Sequence, residues 1–363
     1  MLQSVTAEMA PTSFLDVLAE KRQMLWPVVK SYLDDLWAPA IDRYAAGRED
    51  VARFHQQLVS EYPRRQGKYL RPALLLLTCE ALGGDPRQAI PSAAAMQLSE
   101  DWLLVHDDCE DGSPRRRGGK ALPRLYGCQL AINAGDALHL LMWRVLQDNF
   151  RLLPQHRARA VLQAFSDLLT RTAFGQTVEL KWTRDRRHDL TEADWFFLAD
   201  NKTAYYTVAG PMLIGALIAG AHRAQSASIE RFGLLLGKSF QVVDDLLDLV
   251  SDFDGLKGPN GGDIIEGKQT LVLIHLLKVA RGPDRDALLQ ILGKPRSARN
   301  RQDVRTVIEL MRAYGSLDYA RGVALRLAAA ATRAFDRELG FLAREPARMH
   351  LRSCITFVVS RRL

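Results

Sequence analysis

The chain has 363 residues, of which 47% are apolar and 25% are charged, and it carries a net charge of +7. These proportions exclude a disordered or fibrous chain and fit a globular protein with a sizeable core. Basic runs are short and lack interleaved aromatic residues, which argues against nucleic-acid binding. The positive charge therefore favours an anionic small substrate or a membrane surface, or reflects no more than an arginine-rich composition.

The cysteines and the apolar runs limit the compartment. The four cysteines stand far apart without a Cys-x-x-Cys pair, which excludes a disulfide framework and a zinc site of that type. The sequence starts without a basic segment followed by an apolar run, so no secretory leader is predicted. No uncharged apolar run reaches about 18 residues, so no transmembrane segment is predicted. We therefore expect a cytoplasmic protein.

Helical spacing of apolar residues extends over nearly the whole chain, and strand-like alternation is scarce. The predicted helices cover approximately residues 14–35, 38–60, 72–82, 88–110, 127–150, 157–182, 192–200, 203–221, 226–252, 268–281, 301–313, 316–339 and 346–360. Loops are predicted at 112–124, 254–268 and 282–301, the last as a charged surface excursion. The pattern predicts an all-α fold, with residues 1–363 as one large helical bundle and residues 1–13 flexible.

Two clusters of the form Asp-Asp-x-x-Asp lie in strongly apolar helical stretches. On a helix, the carboxylates of each cluster project onto neighbouring faces and repel one another unless a cation lies between them. Oxygen ligands without nearby His or Cys favour Mg²⁺ over zinc. We therefore predict that both clusters hold Mg²⁺ and clamp a diphosphate, the alternative being two solvated acidic helix faces. The predicted metal ligands are Asp107, Asp108, Asp111, Asp244, Asp245 and Asp248.

Basic groups recur beside both aspartate clusters. Any one of them alone is usually a solvated surface charge, but the recurrence predicts that the set binds the diphosphate. One pair stands in a loop at a helix start, a position that favours anions. The basic candidates are Lys68, Arg71, Arg116, Arg117, Lys202, Lys257 and Lys268, and Thr203 follows Lys202 at the start of another predicted helix.

These motifs, in this order, resemble those of the trans-prenyltransferases, also called polyprenyl or isoprenoid diphosphate synthases. The resemblance covers roughly residues 60–275. Its motifs are Gly67-Lys-x-x-Arg-Pro72, His106-Asp-Asp-x-x-Asp-Gly-Ser-Pro-x-Arg-Arg-Gly118, Gly175-Gln176, Lys202-Thr203, Phe240-Gln-x-x-Asp-Asp-x-x-Asp248 and Gly262-Asp-x-x-x-Gly-Lys-x-Thr-Leu271.

The resemblance implies an isoprenoid-synthase bundle around a central apolar cavity, and a homodimer. It also implies a Mg²⁺-dependent, head-to-tail condensation of isopentenyl diphosphate with dimethylallyl, geranyl or farnesyl diphosphate. In this reaction the allylic diphosphate ionises, the isopentenyl double bond attacks the carbocation, and a proton leaves. Metal and basic groups stabilise the charge that builds on the leaving diphosphate.

Residue roles follow from the same resemblance. The aspartates would hold Mg²⁺ against the allylic diphosphate, which Arg116, Lys202 and Lys268 would contact, and Lys257 flanks the same segment. Isopentenyl diphosphate would be bound by Lys68, Arg71 and Arg117. The neutral polar side chains of Thr203 and Gln241 would lie near the reacting carbons.

Two features of the sequence bear on substrate binding and product length. Many relatives carry histidine at the position of Glu100, and a carboxylate there would instead orient Arg71 or Lys68. Trp102 and Leu103, five and four residues before the first aspartate, would form the floor of the product tunnel. A bulky residue at 102 with the small Ser99 below it resembles geranylgeranyl-type enzymes; the alternative is that Trp102 fills the core.

Two further readings stay open. A class I terpene cyclase on the same fold would use a single allylic diphosphate, but its second metal motif usually differs from Asp-Asp-x-x-Asp. A regulatory subunit of a heteromeric synthase would generally have lost aspartates, whereas this chain keeps both clusters.

Overall fold

The computed structural model describes residues 13–250 and 261–361, and the main chain alone of Val250. Over these residues the fold is all-α apart from one short hairpin, as predicted. The helices are α1 Phe14–Ser31, α2 Ala38–Tyr44, α3 Glu49–Arg65, α4 Leu70–Ala81, α5 Pro86–Glu110, α6 Leu122–Tyr126, α7 Cys128–Leu146, α8 Asn149–Leu152, α9 Gln155–Arg184, α10 Glu192–Ala199, α11 Gly210–Ala219, α12 Arg223–Val250, α13 Gly262–Glu266, α14 Leu271–Val279, α15 Gly282–Gly293, α16 Arg301–Ala313, α17 Ser316–Glu338 and α18 Ala347–Ser360.

Several predicted boundaries differ from the structure. The predicted helix 38–60 is two helices, α2 and α3, because the chain turns at Gly47, whose φ is +71°. Residues 282–301, predicted as a loop, contain α15, which buries Leu288, Ile291 and Leu292. Its Pro283 occupies the first turn of the helix, where the missing N–H costs nothing. Of the predicted flexible segment, Ser13 caps α1, and residues 1–12 lie outside the described part.

Three apolar clusters hold the helices together. The first joins α4, α5, α7 and α9 through side chains such as Leu75, Met96, Leu141 and Phe165. The second joins α4, α11, α12, α17 and α18, and the third surrounds the C-terminal half of α12 with α14, α16 and α17. Both aspartate-bearing helices, α5 and α12, therefore run through apolar packing along their length, which fixes where their ends lie.

Residues Asp200–Ala209 form a π-helix between α10 and α11. The segment lies very close to two neighbouring helices, because both present a glycine to it. A Cβ on Gly175 of α9 would lie 2.6 Å from the amide nitrogen of Lys202, and a Cβ on Gly237 of α12 would lie 2.5 Å from Cα of Ala204. Such wide helical turns are frequent at functional sites. This one carries Lys202 and Thr203.

A two-stranded hairpin follows α5, inside the predicted loop 112–124. Its strands are β1 Arg115–Arg116 and β2 Gly119–Lys120, with Arg115 opposite Lys120. The two turn residues, Arg117 and Gly118, both have positive φ, +47° and +77°, as a type I′ turn requires. The turn directs the side chains of the neighbouring Arg116 and Arg117 to different partners. Within the part of the chain that the structure describes, no helix is both long and apolar enough to cross a bilayer.

Candidate active site

A cavity of about 530 Å³ opens between α5, α9, α10, the π-helix and α12. Its polar end is formed by carboxylates of both aspartate clusters together with basic side chains. Apolar side chains of α5 and α10, such as Trp102, Leu103 and Leu198, line other parts of the cavity, and α9 contributes both apolar and polar side chains. The polar lining residues relevant here are Asp107, Arg116, Lys202, Thr203, Gln241, Asp244, Asp245, Asp248 and Lys268.

The first cluster stands at the C-terminal end of α5, and its members have different surroundings. Asp107 lines the cavity. Asp108 is fully buried and does not; it accepts hydrogen bonds from Tyr62 Oη at 2.6 Å and from Arg116 Nε at 3.0 and 3.1 Å. Asp111 caps the helix and lies 2.7 Å from Lys268 Nζ. Asp108 therefore holds Arg116 and does not line the cavity in this structure, and its role as a metal ligand stays a prediction.

The second cluster lies near the end of α12. The Asp244 side chain is 42% exposed, whereas Asp245 is buried and accepts a hydrogen bond from Gln241 Nε2 at 2.6 Å. Asp248 accepts backbone N–H groups of Gly262 at 3.2 Å and of Asp263 at 3.0 Å, at the start of α13. Burial raises the pKa of Asp245 and of Asp248, and nearby carboxylates raise both further. Both carboxylates thus lie where a cation would be stabilising.

Lys268 forms an ion pair with the first cluster, and its charge opposes the rise in the pKa of Asp248 in the second. Its Nζ lies 2.7 Å from Asp111 Oδ2, 2.8 Å from Glu266 and 4.0 Å from Asp263. Burial by itself lowers the pKa of Lys268, but Glu179, Asp263, Asp111 and Asp107 raise it well above its usual value. The ammonium is therefore held charged at the polar end of the cavity, where an anion between the clusters would meet it.

The carboxylate oxygens suit a divalent metal whose coordination is completed by the phosphate oxygens of a substrate. All candidate ligands are carboxylate oxygens, the type that Mg²⁺ prefers. Within residues 13–250 and 261–361, no three carboxylates lie close enough together to bind a metal by themselves. Mg²⁺ is usually held by one or two carboxylates, with waters and substrate phosphates in the other positions. Asp107 and Asp244, from opposite sides of the cavity, suit that arrangement.

Three of the predicted diphosphate-binding cations on the allylic side, Arg116, Lys202 and Lys268, line the cavity. Arg116 Nη2 is 3.0 Å from Asp107 Oδ2, and the two aspartates beside it raise the pKa of its guanidinium despite burial. Lys202 forms an ion pair with Glu179. Thr203 and Gln241 line the same wall. Lys257 lies outside the described residues.

A second basic group lies beside the cavity, around Glu100. Arg71 Nη1 is 3.3 Å from Glu100 Oε1, and its Nη2 donates to Thr207 Oγ1 at 3.0 Å. Arg117 Nη2 is 3.5 Å from the same Glu100 oxygen, and its Nη1 donates to Asp101 at 2.6 Å. Glu100 therefore contacts Arg71, as expected, and also Arg117. Lys68, the other residue that Glu100 was expected to orient, is exposed. Partial desolvation and the charge of Arg361 lower the pKa of Lys68, whereas Asp244 raises it.

The three predicted chain-length residues lie in different layers. Trp102 and Leu103 line the cavity, whereas Ser99 is fully buried behind it and hydrogen-bonds Tyr206 Oη at 2.9 Å. Trp102 packs against His139 of α7, with ring centroids 4.7 Å apart and the ring planes tilted by 33°. The Nε1 of Trp102 is buried without a hydrogen-bond partner in the described structure. Trp102 therefore forms a wall of the cavity that α7 supports from behind.

Sequence reasoning missed several contributors. Tyr62 of α3 donates a hydrogen bond to Asp108. Arg65 of the same helix holds the hairpin by donating to the carbonyls of Arg116 and Lys120 at 2.9 and 2.8 Å. Glu179 partners Lys202, and Arg361, beyond the end of α18, lies 3.4 Å from Asp244. These residues are between 23 and 117 positions from their partners, and no local pattern pairs them. Of these residues, only Arg361 had a local signal in the sequence, since it lies in a short run of basic residues.

The comparisons with known proteins agree with this geometry. The sequence model of the polyprenyl synthetase family matches residues 53–311. The short chain isoprenyl diphosphate synthase of Methanothermobacter thermautotrophicus is 36% identical over 259 residues, 71% of this chain and 77% of that protein. The geranylgeranyl diphosphate synthase of Sulfolobus acidocaldarius is 34% identical over 262 residues, 71% of this chain and 76% of that protein.

Among solved structures, that of a polyprenyl synthase from Caulobacter crescentus, complexed with calcium and isoprenyl diphosphate, superposes with a TM-score of 0.80. The two chains are 25% identical, and the match covers 96% of this chain and 98% of that one. The family match gives no support to the terpene cyclase alternative. The chain belongs to the polyprenyl synthetase family and is a prenyltransferase that makes polyprenyl diphosphates.

Proposed function

We propose that the protein condenses isopentenyl diphosphate with an allylic diphosphate in a Mg²⁺-dependent reaction, and that its product is geranylgeranyl diphosphate. The observation that carries this proposal is the convergence of Asp107, Asp244 and Lys268, from three helices or their flanking loops, on one end of a cavity that apolar side chains of α5 and α10 also line. The names of the relatives support the reaction and include short-chain, geranylgeranyl and geranylfarnesyl types. The Caulobacter complex supports the choice of a hard divalent cation and an isoprenyl diphosphate.

Each group in the cavity has a part in this chemistry. A bound Mg²⁺ would supply Lewis-acid stabilisation of the leaving diphosphate. Lys202, Lys268 and Arg116 add fixed positive charge at the same place, so the charge that builds there as the bond breaks meets donors already in position. Thr203 and Gln241 place uncharged oxygen atoms on the wall along which the allylic carbons would lie. The apolar walls keep water from the carbocation.

The reaction is tested by incubating the purified protein with Mg²⁺, labelled isopentenyl diphosphate and dimethylallyl, geranyl or farnesyl diphosphate in turn. Dephosphorylated products are then sized. We expect labelled geranylgeraniol from each allylic substrate that is accepted. Farnesol or longer prenols would keep the synthase and contradict the product length. A cyclic hydrocarbon released from the allylic substrate alone, without isopentenyl label, would contradict the synthase.

Replacing Trp102 with alanine is expected to lengthen the product by at least one five-carbon unit. The indole closes the cavity on the α5 side, and its removal opens space against His139. The readout is the chain length of labelled prenols at matched conversion. Trp26→Ala is the matched control, because Trp26 is a partly buried tryptophan on α1 that does not line the cavity. An unchanged product length in Trp102→Ala would mean that this side chain only fills the core.

We propose further that two copies of the chain associate through α7. This helix exposes three large aliphatic side chains, Leu130, Ile132 and Leu140, which are 39%, 45% and 60% exposed. Several large exposed aliphatic side chains on one helix are typical of a surface that another protein covers. Light scattering is expected to give the mass of a dimer for the wild type and of a monomer for Leu140→Glu. A Leu140→Glu protein that stays dimeric would place the interface elsewhere.

A further inference from the structure

A second cavity, of about 290 Å³, adjoins the cavity of the candidate active site. The two share the lining residues Glu110, Glu179, Leu180 and Lys268. Of the residues that line the second cavity and not the first, five are basic, and they come from the end of α9 with the loop after it and from the segment between α15 and α16. They are Arg184, Arg186, Lys294, Arg296 and Arg299.

The carboxylates that line the second cavity are already engaged. Lys268 lies 2.7 Å from Asp111 and 2.8 Å from Glu266, and Glu179 has its own lysine partner. Glu110, at the boundary with the first cavity, accepts a hydrogen bond from a glutamine amide at 2.5 Å. The acidic groups of this cavity therefore do not neutralise the arginines of its other wall.

Two of these arginines have no carboxylate partner among the described residues. Arg299, which is partly buried, donates to three backbone carbonyls, two in α13 and one in α15, over distances of 2.8 to 3.2 Å. Arg186 donates to the carbonyl of Gly293 at 2.9 Å. Carbonyl groups orient a guanidinium without neutralising it. A partly desolvated cation without a counter-ion is costly, and a bound anion would remove that cost.

The backbone brings these charges together in spite of their repulsion. Arg186 has a φ of +50°, in the left-handed region that residues other than glycine rarely adopt. Burial and the nearby charge of Arg186 lower the pKa of Arg299. Arg296 lies on the same wall, and its nearest carboxylate, on Glu266, is 3.9 Å away and already paired with Lys268. Unusual backbone conformations of this kind cluster at ligand-binding sites.

The lining selects the chemical class of the anion. Among the described residues, Leu180 and Pro295 are the apolar side chains that line the second cavity, so a prenyl chain would find little apolar surface there. Arginines on two separate segments suit an anion with oxygen atoms at both ends, because each guanidinium can donate two parallel hydrogen bonds. An inorganic diphosphate has this form.

We propose that the second cavity is an exit site for inorganic diphosphate, the leaving group of each condensation. The inference rests on the proposed function, because that reaction supplies the anion. Lys268 lines both cavities, so the diphosphate passes from one set of cations to the next as it leaves. The first cavity is then free for the next allylic substrate. At a high diphosphate concentration the exit site stays filled and release slows.

The test is titration calorimetry of the full-length protein with inorganic diphosphate at a fixed concentration of free Mg²⁺. Both substrate positions are filled beforehand, with isopentenyl diphosphate and with a thiolo analogue of farnesyl diphosphate, which does not ionise. We expect the wild type to bind one further diphosphate per chain. A double variant, Arg186→Gln with Arg296→Gln, should bind it about a hundredfold more weakly, at about tenfold for each lost charge-assisted contact.

Arg187→Gln is the matched control, because Arg187 lies in the same loop, pairs with Asp189 and does not line the cavity. It should bind the further diphosphate as the wild type does. Circular dichroism checks that all variants are folded. The absence of a further diphosphate in the wild type, or equal binding by the double variant, would overturn the inference. Inorganic phosphate that binds as tightly as diphosphate would also overturn it, because the site would then be a general anion site.

Kinetics give a second readout. With both substrates saturating, added inorganic diphosphate should lower kcat in the wild type and in Arg187→Gln, and should have about tenfold or more less effect on the double variant. Inhibition that disappears at saturating allylic diphosphate would place the anion in the first cavity alone and overturn the inference.

The inference and the proposed function fail in different ways. A wild-type protein that incorporates isopentenyl label but binds no further diphosphate overturns the inference alone. A protein that incorporates no label with any allylic diphosphate overturns the proposed function, and with it the origin of the anion as a leaving group, whether or not the second cavity binds diphosphate.

Discussion

Asp107→Asn is expected to lower kcat for condensation by about 10³-fold, which is the scale of losing one preorganised electrostatic group at a reacting centre. Asp107 is the first-cluster carboxylate that lines the cavity, and it also contacts Arg116. An amide keeps the shape of the side chain but is a poorer ligand for a hard cation. The Mg²⁺ concentration for half-maximal activity should therefore rise as well. Single-turnover rates measured across a Mg²⁺ series check both effects.

Asp318→Asn is the control for Asp107→Asn, since Asp318 is a highly exposed aspartate of α17 paired only with Arg321 in the described contacts. It should leave the rate and the Mg²⁺ dependence unchanged. An Asp107→Asn enzyme with a normal Mg²⁺ dependence, or with activity near that of the wild type, would contradict a metal-binding role for this carboxylate.

Lys268→Met is expected to lower kcat by about 10²-fold or more, again on the scale of a lost electrostatic donor. The substitution keeps the length of the side chain and removes the charge that lies among Asp111, Glu266 and Asp263. Because this ammonium competes with metal ions for the same carboxylates, the midpoint of the Mg²⁺ dependence should move to lower concentration. That direction is opposite to the one expected for Asp107→Asn, and this contrast separates the two roles.

The matched control is Lys278→Met, at an exposed position near the end of α14. Circular dichroism and thermal melts of all variants establish that the helices remain formed. A Lys268→Met protein that is folded, active and unchanged in its Mg²⁺ dependence would show that the ammonium serves only to neutralise the acidic groups around it.

The sequence predicted the helical class and the two aspartate-rich helix ends because both depend on short periodic patterns. Aspartates three and four positions apart on an apolar helix are recognisable without a structure, and so are Lys202 and Lys268 within their motifs. The same spacing could not distinguish Asp107 from Asp108. That difference depends on Tyr62, which lies 46 positions away and approaches only after the bundle packs.

What the sequence could not predict depends on tertiary contacts or on unusual backbone geometry. The π-helix of residues 200–209 arises where Gly175 and Gly237 let neighbouring helices approach, and ordinary helical periodicity conceals it. Glu100 was recognised as unusual, but its simultaneous contact with Arg71 and Arg117 required the positive φ of Arg117 in the hairpin turn. Helix α15 was missed because its segment was interpreted as a charged surface excursion.

The central claim is that the two aspartate clusters jointly hold divalent metal against an allylic diphosphate. The most direct test is the anomalous diffraction of crystals grown with Mn²⁺ and a thiolo analogue of farnesyl diphosphate, which resists ionisation. We expect manganese peaks in contact with Asp107 on one side and Asp244 on the other, bridged by the diphosphate next to Lys268. Diphosphate bound without manganese at these carboxylates, or manganese at other residues, would contradict the account.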